Sequence, residues 1–181
     1  MQTAIVTGAS RGIGKAIALK LVELHYSLVL VGRDVQLLDQ LKSEIEENGG
    51  KCLAIEADLS SENTPGDIVK EAVSHFGRID VLVNNAGMSH SGPILETDIE
   101  TWDRVHAVNA RAPFFLSKAV IPYLKASSNP VIINIGSVVG FKGYIHQAAY
   151  ASSKHALTGF TKVLAKEVQE EGIKVHLISP G

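Results

Sequence analysis

The stretch "TAIVTGASRGIG", residues 3–14, decides the fold. It begins with a short apolar, β-branched run and passes directly into a turn that contains Gly8, Gly12 and Gly14. The run predicts a buried strand, and apolar residues spaced by three and four predict a helix over residues 12–25. Glycines in such a turn let the backbone approach a pyrophosphate, which the N-terminus of the helix can bind.

The same alternation of strand and helix continues along the chain. Further apolar runs predict strands over residues 27–32, 52–57, 80–85, 130–136 and 174–179, in addition to the first at 3–8. Further helical patterns cover residues 34–48, 101–125 and 147–171, and another helix begins at "TPGD", residues 64–67. Most of the runs lack apolar/polar alternation, as strands buried on both faces do. We therefore predict a doubly wound parallel sheet, a Rossmann-like three-layer α/β/α fold.

Local signals predict some of the boundaries of these helices. Thr64 is the expected N-cap of its helix, with Pro65 at the first helical position. Pro113 is expected to kink or break the segment 101–125. The segment 147–171 carries an apolar stripe that faces either the sheet or a partner helix: Leu157, Phe160, Leu164 and Val168.

Composition limits the classes of protein that this chain can represent. With 181 residues and no linker or repeat, we predict a single domain over residues 1–181. The net charge of -2 gives no electrostatic footprint for nucleic acid or for an anionic membrane. The single cysteine, Cys52, fits a reducing compartment, and the sequence has neither a signal peptide nor a membrane-spanning run. We expect a cytoplasmic protein without a membrane partner.

The end of the second predicted strand bears on the choice between two dinucleotides. A site selective for NAD usually has an acidic residue there, but this chain has Gly32 followed by Arg33. Arg33 and Arg11 could flank a 2′-phosphate, which favours NADP(H) over NAD(H). Asp34 argues the other way, although it reads equally well as the N-cap of the next helix.

A phenol and an ammonium are paired in "AYASSKHAL", residues 149–157. Tyr150 and Lys154 are four residues apart, so a helix places them on one face, one turn apart. A neighbouring ammonium favours the phenolate and lowers the pKa of a tyrosine. Tyr144 lies ten residues before Lys154 and cannot share that face through local geometry. The histidines show no metal-ligand spacing, so no metal is expected.

The motifs occur in a fixed order that is specific when they are taken together. They are "TGASRGIG" at 7–14, "NNAG" at 84–87, Asn109, "GS" at 136–137, "YASSK" at 150–154 and "SPG" at 179–181. The chain thereby resembles the short-chain dehydrogenase/reductase family from residue 3 to its last residue. Among relatives it is most similar to the 3-oxoacyl-[acyl-carrier-protein] reductase type.

The resemblance implies a role for each matching residue. Catalysis is implied for Asn109, Ser137, Tyr150 and Lys154, with Asn109 supporting a water-linked proton path behind Lys154. Cofactor binding is implied for Gly8, Ser10, Arg11, Gly12, Ile13, Gly14, Arg33, Asp58, Leu59, Asn85, Ala86, Gly87, Tyr150, Lys154, Pro180 and Gly181. The family also implies a homodimer or homotetramer, with the helices in 101–125 and 147–171 at the interface.

The expected activity is the NADPH-dependent reduction of a carbonyl to an alcohol, with Tyr150 as the proton donor and a 3-oxoacyl thioester as one candidate substrate. Other ketones, quinones and diketones are alternatives. A dinucleotide-binding protein without catalysis is the rival from another class. Family members usually continue through a substrate lid and a seventh strand, both absent from this chain, so we expect the domain to be incomplete at its C-terminus.

Overall fold

The computed structural model describes residues 1–181 and contains a six-stranded sheet in the order β3-β2-β1-β4-β5-β6. The strands are β1 (Thr3–Thr7), β2 (Ser27–Gly32), β3 (Cys52–Glu56), β4 (Val81–Asn84), β5 (Val131–Ile135) and β6 (Lys174–Ile178). Every neighbouring pair is parallel. All the predicted strands are thus present, and each ends within about two residues of its prediction.

The helices are α1 (Gly12–Glu23), α2 (Val35–Glu47), α3 (Thr64–Phe76), α4 (Ile99–His106), α5 (Ala112–Leu124) and α6 (Ala148–Glu167). A π-helical turn, Ala107–Arg111, joins α4 to α5, and short 3₁₀ turns cover Ile94–Glu96 and Val138–Gly140. No helix combines the length and the apolar character needed to cross a lipid bilayer.

The two faces of the sheet have separate apolar cores, because successive strand residues point to opposite sides. In β1, Ile5 packs in the core that includes residues of α3, α5 and α6. Its neighbours Ala4 and Val6 pack in the core that includes residues of α1 and α2. Helices on both faces of a parallel sheet confirm the predicted three-layer, doubly wound fold.

Two local predictions differ from the structure. Asn63, not Thr64, precedes α3 as its N-cap, so Thr64 is the first helical residue. Asn63 itself has helical backbone angles and makes no side-chain cap. The helix α6 ends at Glu167 instead of residue 171. A turn that contains Gly172, with a φ of 71°, then leads to the buried Ile173 and the start of β6.

The structure also tests the prediction that Pro113 interrupts the segment 101–125. Pro113 lies at the start of α5, directly after the π-helical turn, so the predicted interruption is present. A proline cannot donate to the preceding turn, and the wider π turn accommodates that loss.

The apolar stripe of α6 packs inward. Leu157, Leu164 and Val168 are buried, and the last two belong to the α3/α5/α6 core.

Candidate active site

The glycine turn between β1 and α1 depends on two backbone features. Gly8 and Gly12 have φ angles of 64° and 56°, a region that glycine enters without steric cost. At Gly14, an added Cβ would lie 2.1 Å from the Gly8 carbonyl oxygen and 2.5 Å from Asn85 Nδ2. At Gly12 it would meet no atom within 4 Å. The turn is therefore tightly packed at Gly14, whereas there is open space beside Gly12, the first residue of α1.

The segment after β4 holds this turn in place. Asn85 Nδ2 donates to the carbonyl oxygens of Thr7 and Gly8 at 2.9 and 3.1 Å. Thr7 Oγ1 accepts from the backbone nitrogens of Asn85 and Ala86, each at 3.0 Å. Sequence reasoning did not assign Thr7 a role, although its place at the start of the "TGASRGIG" motif is a signal that could have done so.

A cleft of 740 Å³ opens at the carboxyl ends of the strands, beside the switch in strand order between β1 and β4. Ligands of open α/β sheets bind in this place. Nine of the predicted cofactor residues line it: Gly8, Ser10, Arg11, Arg33, Asp58, Leu59, Asn85, Ala86 and Gly87. Gly12, Ile13, Gly14, Tyr150, Lys154, Pro180 and Gly181 lie outside that lining. Val31, Gln36, Met88 and Val108 line the cleft without having been predicted as cofactor residues.

The lining of the cleft carries both signs of charge. Arg11 and Arg33 are exposed there. Asp34 caps α2, since its side chain accepts from Leu37 N at 3.1 Å, which accounts for the acidic residue beside Arg33. Asp58 accepts from Ser60 N at 2.9 Å. That hydrogen bond, with smaller contributions from the charges of nearby arginines, keeps the pKa of Asp58 below its usual range despite partial burial.

The second centre lies where β5 ends and α6 begins. Lys154 is 4% exposed, and its Nζ donates to the Ile135 carbonyl oxygen at 2.8 Å. The same Nζ lies 5.9 Å from the centre of the Tyr150 ring. Burial lowers the pKa of Lys154 to about 8. The helical spacing of Tyr150 and Lys154 thus becomes a real proximity in the fold.

Ser137 lies two residues after the end of β5. Its Oγ accepts from Val139 N at 3.4 Å, so the hydroxyl proton is not used in that bond. The end of β6 holds the serine from both sides, because Gly136 N donates to Ile178 O at 2.7 Å and Val138 N donates to Pro180 O at 3.1 Å. Pro180 therefore lies beside Ser137.

Asn109 lies in the π-helical turn and is fully buried. Its Oδ1 accepts from Met88 N at 2.8 Å, and its Nδ2 donates to Met88 O at 2.8 Å. Nδ2 also donates to Ser153 Oγ at 2.9 Å. The side chain is thus engaged by protein groups on both of its polar atoms.

Two loops lie near one another, and the second of them connects Ser137 to the helix that carries Tyr150. They follow β4 and β5, and they meet where Gly92 N donates to His146 O at 2.8 Å. Both carry exposed apolar side chains, Ile94 and Leu95 on the first and Phe141 and Ile145 on the second. Tyr144 is half exposed on the second loop and lies outside the helix that carries Lys154.

Comparison with known proteins gives the class. A sequence model described as short chain dehydrogenase matches residues 2–181. The chain therefore belongs to the short chain dehydrogenase family and is an oxidoreductase.

Particular relatives are similar over almost the whole chain. An uncharacterized oxidoreductase of Staphylococcus epidermidis is 39% identical over 99% of this chain and 77% of its own length. A 3-oxoacyl-[acyl-carrier-protein] reductase of Synechocystis is 38% identical over 99% of this chain and 73% of its own. The crystal structure of a metagenomic short-chain oxidoreductase in complex with NADP is 40% identical, with a TM-score of 0.95 over 99% of this chain and 82% of that one.

Proposed function

We propose that residues 1–181 form one dinucleotide-binding catalytic unit that reduces a carbonyl to an alcohol with NADPH. The observation that carries the proposal is the buried Lys154 ammonium, 5.9 Å from the Tyr150 ring and beside the wall of the cleft. A Cβ added to Gly87, which lines that wall, would lie 3.7 Å from Lys154 Nζ. The cleft and the Tyr150–Lys154 pair are therefore contiguous.

The residues present fit NADP. The open space in front of Gly12 and the free N-terminus of α1 suit a pyrophosphate. Arg11 and Arg33 both line the cleft, and their guanidinium groups suit a 2′-phosphate. Asp34 is occupied in capping α2, so it does not compete for that position. Asp58 and Leu59, at the end of β3, would contact the adenine.

The chemistry divides between the cofactor and the chain. When bound, the reduced nicotinamide supplies the hydride that the carbonyl carbon receives. Tyr150 holds the proton at its phenol oxygen and delivers it to the substrate oxygen. The charge of Lys154 stabilises the phenolate that remains. The free proton of Ser137 Oγ forms a hydrogen bond to the substrate oxygen as negative charge develops there.

Asn109 would support the reprotonation of Tyr150 after it has given up its proton. Both polar atoms of its side chain bind Met88 and Ser153, so we propose that it holds a water behind Lys154 through its main chain. Pro180 and Gly181 would border the nicotinamide side of the cofactor, because Pro180 is joined to Val138 next to Ser137.

The candidate substrate is a 3-oxoacyl thioester, as the name of the Synechocystis relative indicates for that protein. The exposed apolar side chains on the two loops that follow β4 and β5 suit a substrate with an apolar chain. Simple ketones, quinones and diketones are the alternatives. The test is consumption of NADPH by the full-length protein with one member of each class, with Tyr150→Phe as the comparison.

We expect turnover with at least one carbonyl class. Tyr150→Phe should lower turnover by about 10³-fold or more, since proton transfer is lost, while NADPH affinity stays within about threefold. Turnover that persists in this variant would exclude Tyr150 as the donor. NADPH binding without turnover of any carbonyl by the wild type would favour the binding protein without catalysis.

We also propose a homo-oligomer, a dimer at the least. Trp102, Phe114, Phe115 and Val163 are between 42% and 55% exposed on α4, α5 and α6. Phe114 contacts Phe160 with ring centres 5.1 Å apart, so the exposed side chains of α5 and α6 form one surface. Phe114→Glu should shift the protein toward monomer in light scattering, whereas Leu24→Glu, at the distant end of α1, should not.

A further inference from the structure

Ser153 links the turn that carries Tyr150 to Asn109. Its Oγ donates to the Tyr150 carbonyl oxygen at 2.7 Å and accepts from Asn109 Nδ2 at 2.9 Å. Ser153 and Asn109 are both 0% exposed. Water therefore cannot replace either bond without a change in the packing of α6 against the π-helical turn.

The directions of these hydrogen bonds form one consistent set. A serine hydroxyl has one proton, and Tyr150 O, a carbonyl oxygen, can only accept it. Ser153 Oγ must therefore accept from Asn109, which places Nδ2 of the amide toward Ser153. The second Nδ2 proton then reaches Met88 O, and Oδ1 is left to accept from Met88 N, both at 2.8 Å.

The chain of bonds ends at the wall of the cofactor cleft. Met88 and Gly87 line the cleft. A Cβ added to Gly87 would lie 3.6 Å from Asn109 Oδ1 and 3.7 Å from Lys154 Nζ. One buried serine therefore connects the main chain of the proton-donor turn, through a single amide, to the main chain of the cleft wall.

We propose that Ser153 is a positioning residue, which fixes the Asn109 amide and thereby sets the distance between the Tyr150 turn and the Gly87–Met88 wall. The proposal rests on the proposed carbonyl reduction for its effect on rate. Its structural part, the dependence of Met88 on Ser153, does not.

Removal of the Ser153 hydroxyl has a defined consequence. One Nδ2 proton of Asn109 is left without a partner in a site that excludes water. The amide then loses its attachment to α6 and is held only by its two bonds to Met88, which open more easily. The cleft wall then loses its fixed position relative to Tyr150.

The first test measures hydrogen exchange at the Met88 amide in the full-length protein, without substrate or cofactor. Ser153→Ala should accelerate this exchange by about tenfold or more relative to the wild type. The control is Ser152→Ala, because Ser152 Oγ donates to Ala149 O and faces His106 instead of Asn109. Ser153→Cys keeps the volume but hydrogen-bonds weakly, and it should accelerate Met88 exchange also, so the test does not depend on the alanine variant folding.

The second test is kinetic. Ser153→Ala should lower kcat by about tenfold with NADPH affinity within about threefold, and raise the solvent deuterium isotope effect on kcat as proton transfer becomes limiting. In an Asn109→Ala background the same substitution should change kcat by less than about twofold, because the residue acts through Asn109.

The outcomes separate the two proposals. Unchanged Met88 exchange in both Ser153 variants, or an equal loss of kcat with and without Asn109, would overturn the positioning role. Failure of the wild type to reduce any carbonyl would overturn the proposed function, while Met88 exchange would still decide whether Ser153 fixes the cleft wall.

Discussion

Lys154 and Ile135 form the contact on which the site depends: the ammonium nitrogen donates to the carbonyl oxygen at 2.8 Å, inside the protein. Ile135 is the last residue of β5 and Ser137 follows two positions later, so the bond ties α6 to the strand that presents the serine. A buried lysine whose protein partner is one carbonyl oxygen, with no acidic side chain in salt-bridge contact, is a costly arrangement for folding. This cost is consistent with a catalytic role for Lys154.

Lys154→Met is expected to stabilise the fold while it abolishes turnover. Methionine has a similar volume and removes a desolvated charge, at the loss of one hydrogen bond, so the free energy of unfolding at pH 7 should rise by about 1–2 kcal/mol. Turnover should fall by at least about 100-fold. Denaturant unfolding and initial rates check the two effects, with Lys162→Met on the exposed side of α6 as the control.

The advantage of Lys154→Met should depend on pH. The pKa of Lys154 is about 8 in the folded chain against an ordinary 10.5, so the folded protein binds this proton more weakly than the unfolded chain. Loss of this proton from the folded protein therefore raises the free energy of unfolding of the wild type as pH rises from about 8 to 10.5. The difference between variant and wild type should shrink over that interval. A constant difference would contradict the buried-charge explanation.

Gly14→Ala is expected to disrupt the glycine turn. Its Cβ would overlap the Gly8 carbonyl oxygen and Asn85 Nδ2. The turn and the end of β4 would have to separate, at a cost of about 3 kcal/mol or more. Thermal unfolding checks this, and Gly66→Ala in α3 is the matched control, because a Cβ there meets no atom within 4 Å. The control should raise the stability by about 0.5–1 kcal/mol.

Arg33→Ala is expected to change the cofactor preference. If Arg33 faces the 2′-phosphate as we propose, loss of its guanidinium should weaken NADPH binding by about tenfold to 100-fold and leave NADH binding within about twofold. Calorimetric titration with both dinucleotides checks this, and NADH serves as the internal control. An equal loss for both cofactors would show that Arg33 does not distinguish them.

Asp80→Asn is expected to weaken the fold at the opposite end of the sheet. Asp80 is 0% exposed and accepts from both Arg78 Nε and Nη2, from Thr3 N and from Ser127 Oγ. Because the Arg78 side chain is 44% exposed, solvent screens its charge when the carboxylate is removed, and the substitution should cost about 1–3 kcal/mol. Asp67→Asn, an exposed partner of Lys70 on α3, should change the stability by no more than about 1 kcal/mol.

The effect of Asp80→Asn should also vanish in acid. Burial raises the pKa of Asp80, but hydrogen bonds from Arg78, Ser127 and Thr3, together with the charge of Arg78, outweigh it and hold the pKa below its usual value. The stability from this carboxylate is therefore present at neutral pH and is lost as pH falls through the folded pKa. Urea unfolding of both proteins as a function of pH checks this, and curves that stay parallel would contradict it.

Much of the fold follows from patterns that act over a few residues. The apolar runs of β1, β2 and β4 specify strands buried on both faces, and the glycines of residues 8–14 specify the turn that follows β1. Those signals fix the doubly wound topology, because parallel strands joined by helices have one favoured handedness. They also bring the predicted cofactor residues to one edge of the sheet, since that edge collects the carboxyl ends of the strands.

By itself, the sequence determined the order of elements, the glycine turn and the spacing of Tyr150 and Lys154, which are properties of neighbouring residues. Only the tertiary structure decided what surrounds them. The burial that shifts the pKa of Lys154 comes from packing, and the bond of that residue to Ile135 joins positions 19 residues apart. The link from Tyr150 through Ser153 and Asn109 to Met88 joins positions 62 residues apart. Hydrogen bonding and desolvation depend on distance in space, and no local pattern encodes which distant groups the packing of α6 against the π-helical turn brings into contact.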